Sequence, residues 1–480
     1  MKTSALKYTV LSWVSGLTMM IILLMPFHAF LTVWGASLVG HYTALRLWKE
    51  GLLLICVIGV VYLLATDHKI RSHTLTRRLV WVILSYIVLN VIWGLLAFNQ
   101  HDVTAKALGY GLIVDLRFLV FFLVTWAVAL RLGRLRANWQ RLVYWPAVIV
   151  VIFGLLQVFV LSDSFLSHFG YSTATIVPFE TINHNQHYIR IASTLRGANP
   201  LGAYLLIPIS LLSVLILRGK RNWRQAGLLL ATLLVLFFSF SRSAWVGAVL
   251  SIGVVLVLSL HGRRSKQLAL AIAVCMIVAG VGAGLALHHN SRVQNVVLHT
   301  QSHSAVPTTS DQGHLSALRS GLRDLRHHPL GDGPGTAGPA SVYNGSHTRL
   351  AEDYFIQIGQ ETGLLGLLLF MLINTGIGYL LWTRRDDPLA LSLFASLIGL
   401  TFINLLSHAW TDDTLAYVWW GLAGIAMVLN PKATQLPAVE SPQPLRASKI
   451  PKAKEAKQGE KDKKSQKGKH VRQAKRTKTT

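Results

Sequence analysis

The chain has 480 residues, 52% of them hydrophobic and 14% charged, with a formal net charge of +26 and only two cysteines. Its mean hydropathy of +0.46 and repeated apolar runs of about 20 residues exclude a single soluble core and indicate a polytopic helical membrane protein. Cys56 and Cys275 each lie inside an apolar run, so they read as small core residues, with no disulfide framework and no metal-ligand spacing.

No ten-residue alternating pattern suggests a barrel, and in lipid the backbone satisfies its own hydrogen bonds most simply as helix. The first apolar run, 10–27, follows Lys2 and Lys7 and has no small-x-small cleavage site after it, so it is expected to be a retained span. An outer loop carrying Arg46, Lys49 and Glu50 follows. Further spans are expected near 51–66, 79–98, 110–130, 142–161, 201–217, 226–240, 243–260 and 268–287, then at 354–382, 389–407 and 413–430. The predicted fold is therefore an all-α bundle of about twelve spans. Residues 1–287 hold nine of them, 288–353 form a large extracytoplasmic loop, 354–430 hold the last three, and 431–480 form a disordered cytoplasmic tail.

Loop charge orients the bundle. Lys69, Arg71, Arg77 and Arg78, then Arg131, Arg134, Arg136 and Arg141, fall on one side. Arg218, Lys220, Arg221 and Arg224, then Arg263, Arg264 and Lys266, then Arg384 and Arg385, fall on the same side. The positive-inside rule makes that side cytoplasmic, with both termini, and puts the protein in the cytoplasmic membrane. The tail holds 12 Lys and 3 Arg against 3 Glu and 1 Asp, or +11 of the total. It is too poor in apolar residues to build a core, and it fits contact with anionic lipid better than with nucleic acid. Arg117 near Asp115, and Arg242 in SFSRSAW, lie close to membrane depth, where charge usually faces a cavity or a partner. Arg190 and Arg196 end a second outer loop, 161–200.

The stretch 288–366 is the longest without a membrane-type run until Tyr354. Leu315, Leu318, Leu322 and Leu325 recur at helical spacing, with Arg319, Arg323 and Arg326 on another face, and Pro329-Leu330-Gly331 ends the helix. Those arginines are either a solvated surface or a grip on an anion such as pyrophosphate, which suits the guanidinium fork. GDGPGTAG (331–338) follows a helix and no strand, so it fails the context test for a dinucleotide loop. A tight turn that brings backbone close to a span or a substrate fits better. Eight of the 19 histidines lie between His288 and His347, but without HExxH or ligand spacing, so no metal and no cofactor are expected. Glu352 and Asp353 stand at the mouth of the span starting near Tyr354. They read either as helix caps or as a general base for a sugar hydroxyl.

Three stretches together resemble the bacterial O-antigen ligases and the related O-antigen polymerases. They are RIASTLRGANPLGAYL (190–205), FSFSRSAWVG (238–247), and HPLGDGPGTAG (328–338) with AEDYFIQIGQETGLLG (351–366). The resemblance implies a GT-C-like membrane glycosyltransferase. It would move a polyprenyl-diphosphate-linked glycan to an acceptor hydroxyl on the outer face of the cytoplasmic membrane, in cell-surface polysaccharide synthesis. Arg190 and Arg242 fall on the family's arginines. Where the family's ligases often carry His-Asn, counted back from the E-x-G-L-x-G ending, this chain carries Glu352-Asp353. The implied catalytic set is Glu352, Arg242 and Arg190. Arg196, Arg319, Arg323, Arg349, His314 and Asp353 are the implied substrate contacts, and the partners are the lipid-linked donor, a glycan or lipid-linked acceptor and membrane lipid. The alternatives are a transporter or flippase of lipid-linked oligosaccharides, which would often show internal repeats and broken helices, and an envelope scaffold.

Overall fold

The computed structural model describes residues 2–182, 185–219, 222–260, 262, 264, 267, 310–345, 348–349 and 353–428. The expected span at 268–287 and the Lys-rich tail lie outside these residues. The protein is a multi-pass helical membrane protein. Eight helices among the described residues are long and apolar enough to cross a membrane.

Helix α1 (Lys2–Leu24) runs into a 3-10 turn (Met25–Phe27) that carries Pro26, and then into α2 (His28–Val39). The first apolar segment is thus longer than 10–27: it covers Ala5–Val39, with a break where proline removes a backbone donor. A short helix, α3 (Tyr42–Leu45), precedes α4 (Trp48–Thr66), and α5 (His68–Leu75) is capped by Asp67. Next come α6 (Arg78–Asn99), α7 (Ala105–Ala129), α8 (Gly133–Phe159), α9 (Ala198–Arg218), α10 (Trp223–Phe238) and α11 (Arg242–Ser259). After the interval outside the description come α12 (Ser310–His327), α13 (Tyr354–Thr383), α14 (Pro388–Asn404) and α15 (Asp413–Ala426).

Three expectations change in detail. The fold is not purely helical, because β1 (Glu180–Ile182) pairs antiparallel with β2 (Asn185–Arg190) in the loop before α9. Helices α10, α14 and α15 have 16, 17 and 14 residues, short of the roughly 20 that a bilayer crossing needs. Lys49 and Glu50 belong to the first turn of α4 rather than to a loop.

Every residue of α15 is buried, including Tyr417, Trp419 and Trp420, so it is enclosed by protein on all sides. It packs closely on α7, with Phe121 and Tyr417 rings 5.1 Å apart and Phe118 and Trp420 rings 4.8 Å apart. At the start of α15, buried Asp413 collects three cationic or imidazole partners. It pairs with Arg117 of α7, Lys49 of α4 lies 3.4 Å away, and His28 Nε2 of α2 lies 3.2 Å away. Trp48 Nε1 donates to His28 Nδ1 at 2.9 Å, so Nε2 carries the imidazole proton and donates to Asp413. Glu50 completes the balance, 3.0 Å from Lys49 and 3.3 Å from Arg117. A buried cluster of this kind holds only if every charge is matched.

The glycine loop inserts into the bundle. Helix α13 breaks at Gly363, where φ is +67°, and the loop's backbone bonds to the opened turn. Asp332 N donates to Gln360 O at 2.8 Å, Gly333 N to Glu361 O at 2.8 Å, and Leu364 N to Pro329 O at 2.9 Å. The buried Glu361 carboxylate accepts from Gly335 N at 3.0 Å. A side chain at Gly331 would strike the backbone of Glu361 and Gly363, and one at Gly363 would strike that of Leu330. On the other flank, a Cβ on Gly111 of α7 would lie 2.6 Å from Gly335 N. The glycines are therefore needed for close backbone approach.

Gly363→Ala should destabilise the protein by roughly 2 kcal/mol or more, because it adds both a left-handed alanine and a backbone clash. Gly109→Ala, where nothing lies within 4 Å of the new Cβ, should be neutral or gain about 0.5–1 kcal/mol of helix propensity. Thermal unfolding of the purified variants in one detergent checks both.

Candidate functional site

A cavity of about 690 Å³ opens between the ends of α9, α11, α12, α13 and α14. Arg190, Arg196, Arg242 and Asp353, four of the residues singled out from the sequence, line it together. Much of the remaining wall is apolar, from Phe240, Val246, Phe402, Ile403 and the α12 leucines Leu315 and Leu318.

Each arginine is delivered by a different device. Arg190 ends β2 and pairs in register with Glu180. Its Nε donates to Ser239 O at 3.0 Å and its Nη2 to Asn199 Oδ1 at 2.6 Å, while Nη1 lies 3.7 Å from Glu180 Oε2. Glu180 Oε2 also accepts from Ala198 N at 3.3 Å, tying the hairpin to the start of α9. Burial lowers the Arg190 pKa from its ordinary value; Glu180 opposes that shift and Arg242 adds to it. Two guanidinium groups therefore share one desolvated region.

Arg242 is the first residue of α11, reached through a turn in which Phe240 holds φ +50°. A bulky aromatic in that left-handed region costs on the order of 1–3 kcal/mol, and the surrounding contacts hold it there. Trp245 stacks on Phe237 with ring centroids 5.5 Å apart, and its Nε1 donates to Leu236 O at 3.0 Å. Arg196 is the most accessible of the three, its side chain 45% exposed, with Nε 3.9 Å from Asp412 Oδ2.

Asp353 caps α13: its Oδ1 accepts from Phe355 N at 2.7 Å and Ile356 N at 3.0 Å. Burial raises its pKa from the ordinary value, against the lowering effect of those two donors. Asp412 plays the same capping part for α15, accepting from Leu415 N at 3.1 Å. His408, just after α14, also faces the cavity. Neither Asp412 nor His408 was singled out from the sequence. The only signal is the polar SHAWTDD segment between two apolar runs, which reads equally well as an ordinary loop. Asn199 and Glu180 are likewise recognised only through their bonds to Arg190.

Other expected site residues lie elsewhere. Arg319 and Arg323 are exposed on α12 and do not line the cavity. Arg349 pairs with Asp332, and its backbone bonds to Gly338 and Ser341, so it buttresses the glycine loop. His314 belongs to α12, but its side chain is outside the described residues, as is Glu352 altogether. Among the described residues, no three His, Cys, Asp or Glu side chains converge as metal ligands.

A family model for O-antigen ligase matches residues 227–371. Residues 227–371 are thus similar to the O-antigen ligase family. The matched segment runs from α10 through Arg242, α12 and the glycine loop to the middle of α13, so it includes Glu352, Asp353 and the Gly363 break. Arg190, Arg196 and Asp412 lie outside the matched ligase segment and reach the cavity through the fold. No curated protein matches the chain.

Because the pKa of Asp353 is raised, its charged form is disfavoured in the folded state. Its contribution to stability falls as pH rises from 3.8 through the higher folded value. Asp353→Asn keeps a good cap and should remove that decline, leaving the protein at least as stable at pH 7. Asp353→Ala should lose the cap, at about 1 kcal/mol. Thermal melts of the three proteins between pH 4 and pH 7 distinguish these outcomes.

Proposed function

We propose that the protein is a membrane glycosyltransferase of the O-antigen ligase type, transferring a glycan from a polyprenyl-diphosphate carrier to an acceptor hydroxyl on the outer face of the cytoplasmic membrane. The observation that carries this reading is the convergence of Arg190 and Arg196, from the loop before α9, and Arg242, from the start of α11, on one largely apolar cavity. A diphosphate is the leaving group that such a cluster suits. Negative charge grows on it as the sugar C1–O bond breaks, and preorganised guanidinium groups in a cavity with largely apolar walls stabilise that charge with little reorganisation. Arginine also offers the paired donors that phosphate oxygens accept.

In this mechanism the acceptor hydroxyl attacks C1 from the side opposite the diphosphate. The new C1–O bond forms as the old one breaks, with inversion, and the hydroxyl proton passes to a carboxylate. Glu352 is the proposed base, with Asp353 beside it at the cavity wall. Arg190, held by Ser239 and Asn199, and Arg242 receive the leaving diphosphate. Arg196, more exposed and paired with Asp412, contacts the donor as it enters. The apolar wall from α9, α11 and α14 accommodates the first isoprene units.

Arg242→Ala and Arg190→Ala should each lower glycan transfer by about 100-fold or more, on the scale seen when one transition-state donor is removed. Glu352→Gln should lose activity while still binding the donor. The assay uses membranes and a synthetic polyprenyl-diphosphate oligosaccharide, and reads product and donor retention separately. Full transfer by Arg242→Ala and Glu352→Gln together would overturn the reading, and flipping of the donor without transfer would favour a transporter.

A further inference from the structure

Helix α12 presents two different faces. Leu318, Gly321 and Leu325 turn inward. A Cβ on Gly321 would meet Ile356 of α13, and one on Gly359 of α13 would meet Leu325, so the two helices are in close contact there. Asp324 accepts from Gln360 Nε2 of α13 at 2.8 Å. The opposite arc holds Leu315, Arg319, Leu322, Arg323 and Arg326. All five are exposed, Leu315 by 47% and Leu322 by 54%. Among the described residues none of these three arginines has an ion-pair partner.

The position of this arc identifies what it meets. The segment leaving α12 is bonded to the break in α13, through Leu364 N and Pro329 O at 2.9 Å. Before the break, α13 is almost wholly buried. After it, Leu364, Leu365 and Leu368 are 55–57% exposed, the outward face of a span long enough to cross a membrane. Leu330, at the junction, is 68% exposed. The C-terminal turn of α12 therefore stands at the level where the lipid-facing surface of α13 begins. Leucine and arginine mixed on one arc of a helix at that level is the composition of a helix lying in the interface, with apolar groups toward the acyl chains and cations among the headgroups.

We propose that the Leu315–Arg326 arc of α12 is a docking surface for the anionic phospholipid headgroups of the surrounding bilayer, and that Arg319, Arg323 and Arg326 serve this contact rather than holding the substrate diphosphate. Leu315 and Leu318 also line the cavity, so headgroup contact seats one wall of that cavity against the membrane. This inference does not depend on the transferase reading, because it concerns lipid contact and not chemistry.

The test uses the full chain in nanodiscs of phosphatidylcholine alone or with 30% phosphatidylglycerol, and reads backbone hydrogen exchange in peptides covering 315–328. Anionic lipid should slow exchange by about fivefold or more. The slowing should disappear in 0.5 M salt, where screening is nearly complete beyond a few ångströms, and in the triple variant Arg319→Gln, Arg323→Gln, Arg326→Gln. Equal exchange in the two lipids would overturn the proposal, as would slowing that survives the triple substitution. Slowing in pure phosphatidylcholine on addition of geranyl diphosphate, abolished by the triple variant, would instead assign the arginines to the donor.

Discussion

The carbonyl of Leu330 occupies the place where a side chain on residue 363 would stand, and the site depends on that one backbone-to-backbone contact. A helix cannot continue through Gly363 at φ +67°, so α13 divides into a buried upper turn and a lipid-facing lower length. The opened turn exposes carbonyls that the glycine loop satisfies with its own N–H groups. Arg349 and Asp332 brace the loop from the outside, and the Glu361 carboxylate receives Gly335 N within the junction, so the Asp353 cap and the adjoining cavity wall are held in place. The E-x-G-L-x-G and GDGPG signatures are thus two halves of one joint.

The cavity joins residues far apart in sequence by giving each a separate anchor. The hairpin supplies Arg190, the strained Phe240 turn supplies Arg242, and the segment before α9 supplies Arg196. Carboxylates do double duty nearby. Glu180 binds both Arg190 and the start of α9, Asp412 faces Arg196 while capping α15, and Asp353 caps α13. Positive charge at the site is therefore held in place by the same groups that start the helices around it.

Much of this was legible in the sequence, for identifiable reasons. Apolar run length reveals most spans directly, and the leucine spacing of 315–325 reveals α12. The glycine loop's failure as a nucleotide motif correctly points to close backbone approach. Arg190 and Arg242 stand out because charge beside an apolar run is conspicuous. What stays hidden is partnership across the bundle. Nothing local distinguishes Asp412 from an ordinary cap, or shows that Arg349 faces Asp332 while Arg319 faces outward. Lys49 and Glu50 read as loop residues because sequence alone does not show that Asp413 and Arg117 wait to neutralise them.

That neutralisation also makes the early helices depend on a late one. Arg117 bonds to the carbonyl of Thr411, 294 residues later in the chain, and to Asp413 beyond it. While the protein is being made, His28, Lys49, Glu50 and Arg117 are already threaded into the bilayer with two permanent cations and a single carboxylate between them. A charge left unmatched at that depth is costly, so the early helices depend on Asp413 of α15 for their second carboxylate. Helix α15 therefore closes, through Asp413, the charge balance that α2, α4 and α7 begin.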